Sequence, residues 1–474
     1  MYGDVNINIE DGNLGRSNVS GTGIQVKIGI SALESSSPVL ITGSMTAKKI
    51  REKLGNCPLA DACIDSVEWG AKEIYCLPNN PDIDSVIGNL KHTGSGTGTV
   101  KVEGKATNSF DIRVEIKESG NTNEGTLRYS IDKGNTYTEE ITIPLSGSLE
   151  LENTGLILKF TDASGGSDSF VKGDVYEVET TAPGVSNQKV LDAAMKLVNM
   201  SKDFEFVHIV GTTSKALWAS LVSLANDFVS KYKRPIFFIC EGRNAETDET
   251  LDDYLAAMEA ERKGINSIYL QVVLSHSRYQ RIDGRVQDIN NAGIITGLYC
   301  QAKQSQSIGE VRNFPIPSSK LQKLLPEGIS DYLQTLDALG YVTIRQYMGK
   351  DDYFVTSANM LAPEGSDFSY AEDVRVLNRL VKEVRKQAVE LLQMEIDPGT
   401  IDNSVAVIQE ELNIPVEKAI GEKIISSGRI ELDMENVDIL ADESMDIRMT
   451  YVPMGHVREF NITFAVENPY KATE

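Results

Sequence analysis

The sequence has few of the side chains that most often carry chemistry. Among its 474 residues it has 4 histidines, none of them paired at i, i+4, and 5 cysteines without a Cys-x-x-Cys pair. An odd number of irregularly spaced cysteines argues against a disulfide framework and against a zinc site. We therefore predict no metal and no cofactor, and we expect reduced cysteines in the core at Cys57, Cys63, Cys76, Cys240 and Cys300.

Positive charge and long apolar runs are also scarce. Lys and Arg total 46 against 69 Asp and Glu, which gives a net charge of −23. Because this charge repels nucleic-acid phosphates and anionic lipid, we expect no direct nucleic-acid or membrane partner. No apolar run approaches the roughly 18 residues needed to span a bilayer. No basic segment and apolar stretch follow Met1, so we expect no secretory signal and folding in a cytoplasm.

The motifs for phosphate binding or catalysis are weak. The glycine-rich run 94–98 precedes a strand pattern instead of the helix N-terminus that a phosphate site needs. His276 follows an apolar strand at the carboxyl edge of the expected α/β sheet, where α/β enzymes place catalytic groups. No Gly-x-Ser-x-Gly motif supports a nucleophile beside it. We therefore predict no catalytic residue and no enzyme.

Periodicity predicts an α/β domain with an all-β insert. Residues 24–91 and 185–329 alternate strand and helix patterns, which favours βαβ units on a largely parallel sheet. Residues 92–184 are rich in Gly, Ser and Thr, with short alternating strands between turns. This spacing is typical of a small β sandwich, so we predict an inserted immunoglobulin-like domain.

Extended segments are predicted at both ends of the chain. Residues 1–23 form an N-terminal arm in which apolar residues at Val5, Ile7 and Ile9 alternate with polar ones. Residues 330–474 form an α+β C-terminal domain, with a second alternation at Phe460, Ile462, Phe464 and Val466. A strand without a local partner invites pairing with another chain. Repeated heterologous contacts of this kind build a tube or a helix, so we predict a self-assembling protein.

The best-defined helical pattern covers residues 370–394. Ser369 and Glu372 have the spacing of a capping box. Apolar residues at helical spacing predict one packed face, at Val374, Leu377, Val381, Val384, Ala388 and Leu391. Cations with the same spacing predict a second face, at Arg375, Arg379, Lys382 and Lys386. This face is either a solvated surface or a docking surface for an acidic partner.

Two stretches resemble the tail sheath proteins of contractile phage tails and phage-tail-like bacteriocins, the contractile injection systems. Near the start, residues 39–42, 53–55, 57–59 and 71–75 are similar to the sheath pattern of a short helix, Leu-Gly, Pro-Leu, a helix and a strand. Near the end, residues 371–379 resemble the arginine-bearing helix of the sheath C-terminal domain. The β insert resembles insertions that decorate sheath exteriors.

The resemblance implies a structural tail sheath subunit that polymerises helically around an inner tail tube protein and contracts to drive the tube through the target cell envelope. Its partners would be copies of itself, the tube, and the baseplate and tail terminator proteins. The particle would be a virion or a bacteriocin, assembled in the host bacterial cytoplasm. Donated strands would come from Val5, Ile7 and Ile9 and from Phe460, Ile462, Phe464 and Val466. The tube contact would be the row Arg375, Arg379, Lys382 and Lys386.

Two alternatives to the sheath stay open. One is another self-assembling surface or shell protein, which would form closed shells or flat sheets. The other is an α/β enzyme with a β appendage, whose centre would be His276.

Overall fold

The structure is a computed structural model that describes residues 23–467 apart from 34, 36, 166–167, 398–400, 433–439 and 441–442. In chain order the strands are β1 Ile24–Ile30, β2 Val39–Thr42, β3 Glu73–Asn79, β4 Val86–Ile87, β5 Lys91–Thr93, β6 Thr99–Gly104, β7 Phe110–Glu118, β8 Thr126–Ser130, β9 Ile141–Thr142, β10 Ser148–Leu151, β11 Leu156–Thr161, β12 Val175–Thr181, β13 Phe206–Thr212, β14 Phe237–Glu241, β15 Leu270–Val273, β16 His276–Gln280, β17 Val286–Asn290, β18 Leu321–Leu325, β19 Ile344–Gln346, β20 Tyr353–Val355, β21 Ile425–Leu432 and β22 Ile447–Pro453. The α-helices are α1 Ala47–Leu54, α2 Pro58–Glu68, α3 Asn187–Met195, α4 Lys215–Ser230, α5 Leu251–Arg262, α6 Ala292–Gln301, α7 Leu333–Ala338, α8 Ala371–Glu390 and α9 Ile401–Gly421. The chain divides into two compact units, Met1–Gln393 and Met394–Glu474.

A six-stranded sheet in the order β15-β14-β13-β1-β3-β2 forms the centre of the first unit. Neighbouring strands are parallel except β2, which runs antiparallel to β3. Helices connect the successive parallel strands, so the predicted α/β fold is confirmed. The chain adds β3 on one side of β1 and β13 on the other. The topological switch point of the sheet therefore lies between β1 and β13.

Hydrophobic side chains cover both faces of this sheet. On one face α3, α4 and α5 pack with the strands in a core that includes Ile28 and Trp218. On the other face α1 and α2 pack in a core that includes Ile50, Cys63 and Ile74. Burial on both faces explains why the parallel strands are nearly continuous apolar runs in the sequence.

The insert between β3 and α3 consists of two antiparallel sheets. One contains β4, β5, β7, β8, β9 and β12, and the other contains β6, β10 and β11. Side chains of both sheets share one core that includes Phe110, Val114, Leu158 and Tyr176. The insert is all-β, as predicted, and its first strand begins at Val86, before the expected boundary at residue 92. The immunoglobulin-like topology stays a prediction.

The first unit continues with the antiparallel sheet β17-β16-β18, the pair β19–β20, and helices α7 and α8. The predicted capping box at the start of α8 is wrong. The Ser369 hydroxyl donates to the Ser366 carbonyl at 2.8 Å, and the residue before the helix is Tyr370. The N–H of Ala371 donates to the Ala358 carbonyl at 2.8 Å, so the backbone itself satisfies this first-turn donor.

The second unit contains α9 and the antiparallel pair β21–β22. Helix α9 contains Pro415 in its interior. A proline removes one helix hydrogen bond, but Val405, Leu412 and Val416 continue one buried face past it. Packing of this face therefore keeps the helix continuous.

Candidate assembly site

The two outer edges of the β21–β22 sheet differ, and β21 is closed at its centre. Asn413 Oδ1 accepts a hydrogen bond from the Ile430 N–H at 3.1 Å, and Gln409 Nε2 donates to the Ile430 carbonyl at 2.7 Å. Both side chains belong to α9, so the backbone groups of Ile430 point away from β22. A further strand cannot pair with β21 at this position.

Among the residues that the structure describes, no strand pairs with the outer edge of β22. Met449 lies opposite Ile430, and because Ile430 turns its N–H and carbonyl away from β22, the two residues form a non-hydrogen-bonded pair. The N–H and carbonyl of Met449, and by the two-residue repeat those of Ile447, therefore point out of the sheet on the far side. A two-stranded sheet is marginal alone, and an edge of this kind is a template for another strand.

The C-terminal positions predicted as a donated strand lie outside every strand of the described chain. Residues 454–467 follow β22 without regular secondary structure. The exposed fractions of the side chains are 78% for Phe460, 71% for Ile462, 93% for Phe464 and 101% for Val466. Large apolar side chains with this exposure are typical of an interaction segment. The N-terminal positions Val5, Ile7 and Ile9 lie outside the described residues.

The predicted cationic row on α8 is not a continuous surface row, which corrects the sequence analysis. Arg375 is 1% exposed. Its Nε lies 2.5 Å from Glu205 Oε1, and its guanidinium also donates to the Tyr299 carbonyl at 2.8 Å. Burial acts to lower the pKa of Arg375, but Glu205, Tyr299 and Cys300 together raise it above its usual value, so the guanidinium stays charged.

The rest of the row lies partly inside the protein. Arg379 is 7% exposed. Lys382 donates to the Asp203 carboxylate at 3.0 Å and to the Phe204 carbonyl at 2.7 Å, and burial lowers its pKa. Lys386 is exposed. Acceptors just before β13 therefore draw Arg375 and Lys382 inward, whereas Arg379 donates to Glu383 and Gln304. A tube contact through Lys386 stays a prediction.

The apolar face predicted for α8 is correspondingly turned outward over much of its length. Val374 is buried, but Val381 is 40% exposed. The remaining predicted positions are half-buried: Leu377, Val384, Ala388 and Leu391. Helical spacing predicted an apolar face and a cationic face, but it predicted the apolar face to be the buried one. The buried cations bond to residues far away in the sequence, which helical spacing does not reveal.

Glu205 joins the start of β1 to α8, and the sequence analysis missed it. Its Oε2 accepts from the Gly23 N–H at 2.9 Å, while Oε1 accepts from Arg375. The side chain is 3% exposed. One buried carboxylate thus bonds both Gly23, the last residue of the predicted N-terminal arm, and the helix α8. A charge between Phe204 and Phe206 was the available signal.

A buried chain of polar groups crosses the centre of the parallel sheet. Lys27 Nζ lies 2.6 Å from His208 Nδ1 and 3.0 Å from Thr296 Oγ1, and His208 Nε2 lies 2.9 Å from Glu241 Oε1. Burial lowers the pKa of Lys27 and of His208, and it raises the pKa of Glu241 to about 7. His208 is therefore a buried core histidine with both ring nitrogens bonded. A lysine inside an apolar strand, Lys27, was the feature of the sequence that could have indicated this buried chain of polar groups.

His276 lines a cleft of about 630 Å³ at the carboxyl edge of the sheet. Burial lowers its pKa to about 4, and Asn290 Nδ2 lies 3.3 Å from its Nε2. The neighbouring serines do not bond to it. Ser277 Oγ donates to Asn291 Oδ1 at 2.7 Å, and Ser275 Oγ accepts from Asn291 Nδ2 at 2.8 Å. The structure therefore does not assemble a Ser–His nucleophile here.

The cysteines are free, and the expected core placement is confirmed for four of them, with Cys300 half-buried. Within the described ranges, no group of three or more His, Cys, Asp and Glu side chains is arranged to hold a metal ion. No described helix has the length and apolar character needed to cross a membrane.

Two family profiles match the sequence. Residues 2–359 match the profile described as the DUF2586 N-terminal domain, and residues 367–471 match that of the DUF2586 C-terminal domain. No curated protein matches the sequence.

Chains of two solved structures share the fold, and a third solved structure is similar to the chain. A chain from the contracted helical sheath of the anti-feeding prophage has a TM-score of 0.52 at 10% identity, covering 98% of this chain and 99% of that chain. A chain from the baseplate of the same prophage has a TM-score of 0.52 at 9% identity, covering 98% and 100%. The sheath tail protein of Desulfitobacterium hafniense has a TM-score of 0.49 at 13% identity, covering 95% and 100%. The fold shared with the prophage chains confirms the resemblance to sheath proteins.

Proposed function

The chain belongs to the DUF2586 family, and from this premise and its fold we propose that it is a structural sheath subunit of a contractile particle, a phage tail or a bacteriocin. Its copies polymerise helically around an inner tube and contract to drive the tube through the target envelope. It acts mechanically and not as an enzyme. The observation that carries the proposal is the open edge of β22 together with an exposed apolar tail in the same chain.

The open edge and the tail are complementary in chemistry. The edge offers the N–H and carbonyl groups of Met449 and Ile447, and its rim is apolar, with Ile447 42% and Val452 54% exposed. From Phe460 to Val466 the tail alternates large apolar residues with the smaller residues Asn461, Thr463 and Ala465, the pattern of a strand that buries one face. Pairing the tail of one copy with β22 of another would satisfy backbone groups and bury these side chains.

The N-terminal arm is the second donor in the proposal. Val5, Ile7 and Ile9 carry the same period-two alternation. The arm leaves the body at Gly23, which Glu205 anchors, so a pull on the arm is transmitted to a buried ion pair. Two donated strands per subunit would connect each copy to different neighbours, and such heterologous contacts continue as an open helix.

The other partners follow from the same assignment. The sheath surrounds an inner tail tube and ends on baseplate and tail terminator proteins, in a particle assembled in the host bacterial cytoplasm. Lys386 is the member of the cationic row that is exposed and is the proposed tube contact. An exposed charge pair is worth about 0–1 kcal/mol, so such a contact can be released during contraction.

Negative-stain electron microscopy of the purified chain tests the proposal. Long hollow cylinders with a helical repeat are expected, with or without an inner tube as template. Deleting residues 1–20 should leave a folded protein that forms no cylinders, because the donated strand is missing. His276→Ala should form cylinders like the unmodified chain. Absence of cylinders even with the tube present would refute the sheath assignment, whereas cylinders from the truncated chain would refute strand exchange alone.

A single substitution tests which edge accepts the strand. Met449→Pro removes an N–H that points away from β21, so the β21–β22 pair should survive while the incoming strand loses a hydrogen bond. Met449→Leu keeps that N–H and a similar volume, and it is the matched control. We expect the proline variant to remain folded, by circular dichroism, and to form no cylinders. Normal cylinders from Met449→Pro would show that the strand does not add at β22.

A further inference from the structure

Two buried cysteines in the first unit lie in direct contact. Cys63 on α2 and Cys76 on β3 have their Sγ atoms 3.2 Å apart. Both side chains are 0% exposed, and they share one core cluster with Ile64 and Ile74. The helix and the strand that carry them are both packed in that core, so the two sulfur atoms are held facing each other.

The distance between the two sulfur atoms is little more than 1 Å longer than a disulfide bond. A disulfide places the sulfur atoms about 2.05 Å apart, so bond formation requires them to approach by a little over 1 Å. Burial raises the pKa of Cys76 well above its usual value, and the nearby Lys27 offsets only part of this rise. Because the closed core excludes solvent, the reaction belongs to the stage before α2 has finally packed on β3, when the thiols are accessible.

We propose that Cys63 and Cys76 are a disulfide-forming site that low-molecular-weight disulfides, such as glutathione disulfide, oxidise as the domain folds. One cysteine thiolate attacks glutathione disulfide, which forms a mixed disulfide and releases one glutathione thiolate. The second cysteine thiolate attacks the protein sulfur of that mixed disulfide, and the second glutathione leaves. Two protons leave the protein thiols, and two electrons reduce the glutathione disulfide to two glutathione molecules.

The native structure also selects which two cysteines form the disulfide. All five cysteines are free in the structure, and any two of them are candidates by composition. The native core brings together Cys63 and Cys76, which are 13 residues apart, and closing a loop of this size restricts the unfolded chain. The site therefore adds a covalent link between α2 and β3 without changing the fold. It does not depend on the proposed sheath function.

The test is disulfide mapping of the full chain made in a bacterial cytoplasm whose disulfide-reducing pathways are removed. Proteolysis and mass spectrometry without reductant should show one linked peptide pair, Cys63 with Cys76, and a protein 2 Da lighter than the reduced form. Cys300→Ser, at the half-buried cysteine, should retain this link, and Cys76→Ser should lose it. The oxidised protein should unfold at a temperature several degrees higher than the same sample after reduction.

Two results would overturn the inference. One is a chain with all thiols free under these conditions, while a control protein with a known disulfide is oxidised. The other is a mixture of pairings in which Cys63 with Cys76 does not predominate. Because both readings come from the unmodified sequence and from Cys300→Ser, they do not depend on whether Cys76→Ser folds.

Discussion

Replacing Arg375 by Met should strongly destabilise the first unit. The substitution keeps a long apolar side chain but leaves the Glu205 carboxylate, 3% exposed, without its guanidinium partner. Breaking a buried ion pair by removing one member costs about 3–5 kcal/mol, because the remaining charge is uncompensated. The Gly23 N–H still donates to Glu205, which places the expected loss toward the lower end of this range.

Urea denaturation followed by tryptophan fluorescence measures this loss. Both tryptophans, Trp69 and Trp218, lie in the first unit, so their emission reports the unfolding of that unit. The midpoint should fall for Arg375→Met, and the slope should stay the same, because the surface exposed on unfolding is unchanged. The matched control is Lys386→Met, which removes an exposed cation of the same helix and should change the free energy of unfolding by less than about 0.5 kcal/mol.

A second substitution separates lost charge compensation from lost packing. Glu205→Gln together with Arg375→Met removes both charges, and it should recover part of the free energy lost in Arg375→Met. Equal stability of Arg375→Met and Lys386→Met would refute the reasoning. That result would mean that Arg375 contributes no more to the free energy of unfolding than a surface cation does. It would support the sequence-based prediction of an exposed cationic row.

Two further outcomes are expected. Because burial raises the pKa of Glu241 from 4.5 to about 7, the folded chain keeps a proton that the unfolded chain releases, so stability falls as the pH rises from about 4.5 to 7. Between pH 5 and pH 8, the free energy of unfolding of Glu241→Gln should therefore rise relative to that of the unmodified chain, by on the order of 3 kcal/mol. Urea unfolding at several pH values measures this difference. A difference that stays constant across this range would contradict the raised pKa of Glu241. Phe464 is 93% exposed, so Phe464→Asp should leave the unfolding midpoint unchanged but reduce the yield of cylinders in electron microscopy, and cylinders at the normal yield would contradict a role of the tail in assembly.

Local periodicity was sufficient to predict the elements of the first unit. Residues 24–91, predicted to alternate strands and helices, contain β1, β2, α1, α2 and β3 in the structure, because these elements have regular apolar repeats. The all-β character of the insert followed from short alternations between turns. These features depend on residues close together in the chain, which a single sequence displays directly.

Properties that depend on distant partners could not be read in the same way. In the sequence, Arg375 and Lys382 belong to a row of cations that resembles a solvated helix face. Their acceptors, Glu205 and Asp203, lie just before β13 and explain why the two side chains turn inward. The same holds for the edge of β21. No local pattern indicates that Gln409 and Asn413 occupy the backbone groups of Ile430. Contacts between side chains far apart in the sequence therefore determine which helix face is exposed and which strand edge can pair with another strand.

Glu205 connects the end of the proposed N-terminal arm to α8, and this connection can be tested separately from stability. Gly23 and Arg375 both bond to one buried carboxylate, so tension on the proposed arm would reach α8 through a pair that is costly to break. We expect Glu205→Gln to shorten cylinders more than a core substitution of similar destabilisation, such as Ile28→Ala, a fully buried position in β1. Length distributions from electron micrographs measure this, after urea unfolding has matched the two variants. Equal lengths would show that the pair serves folding alone.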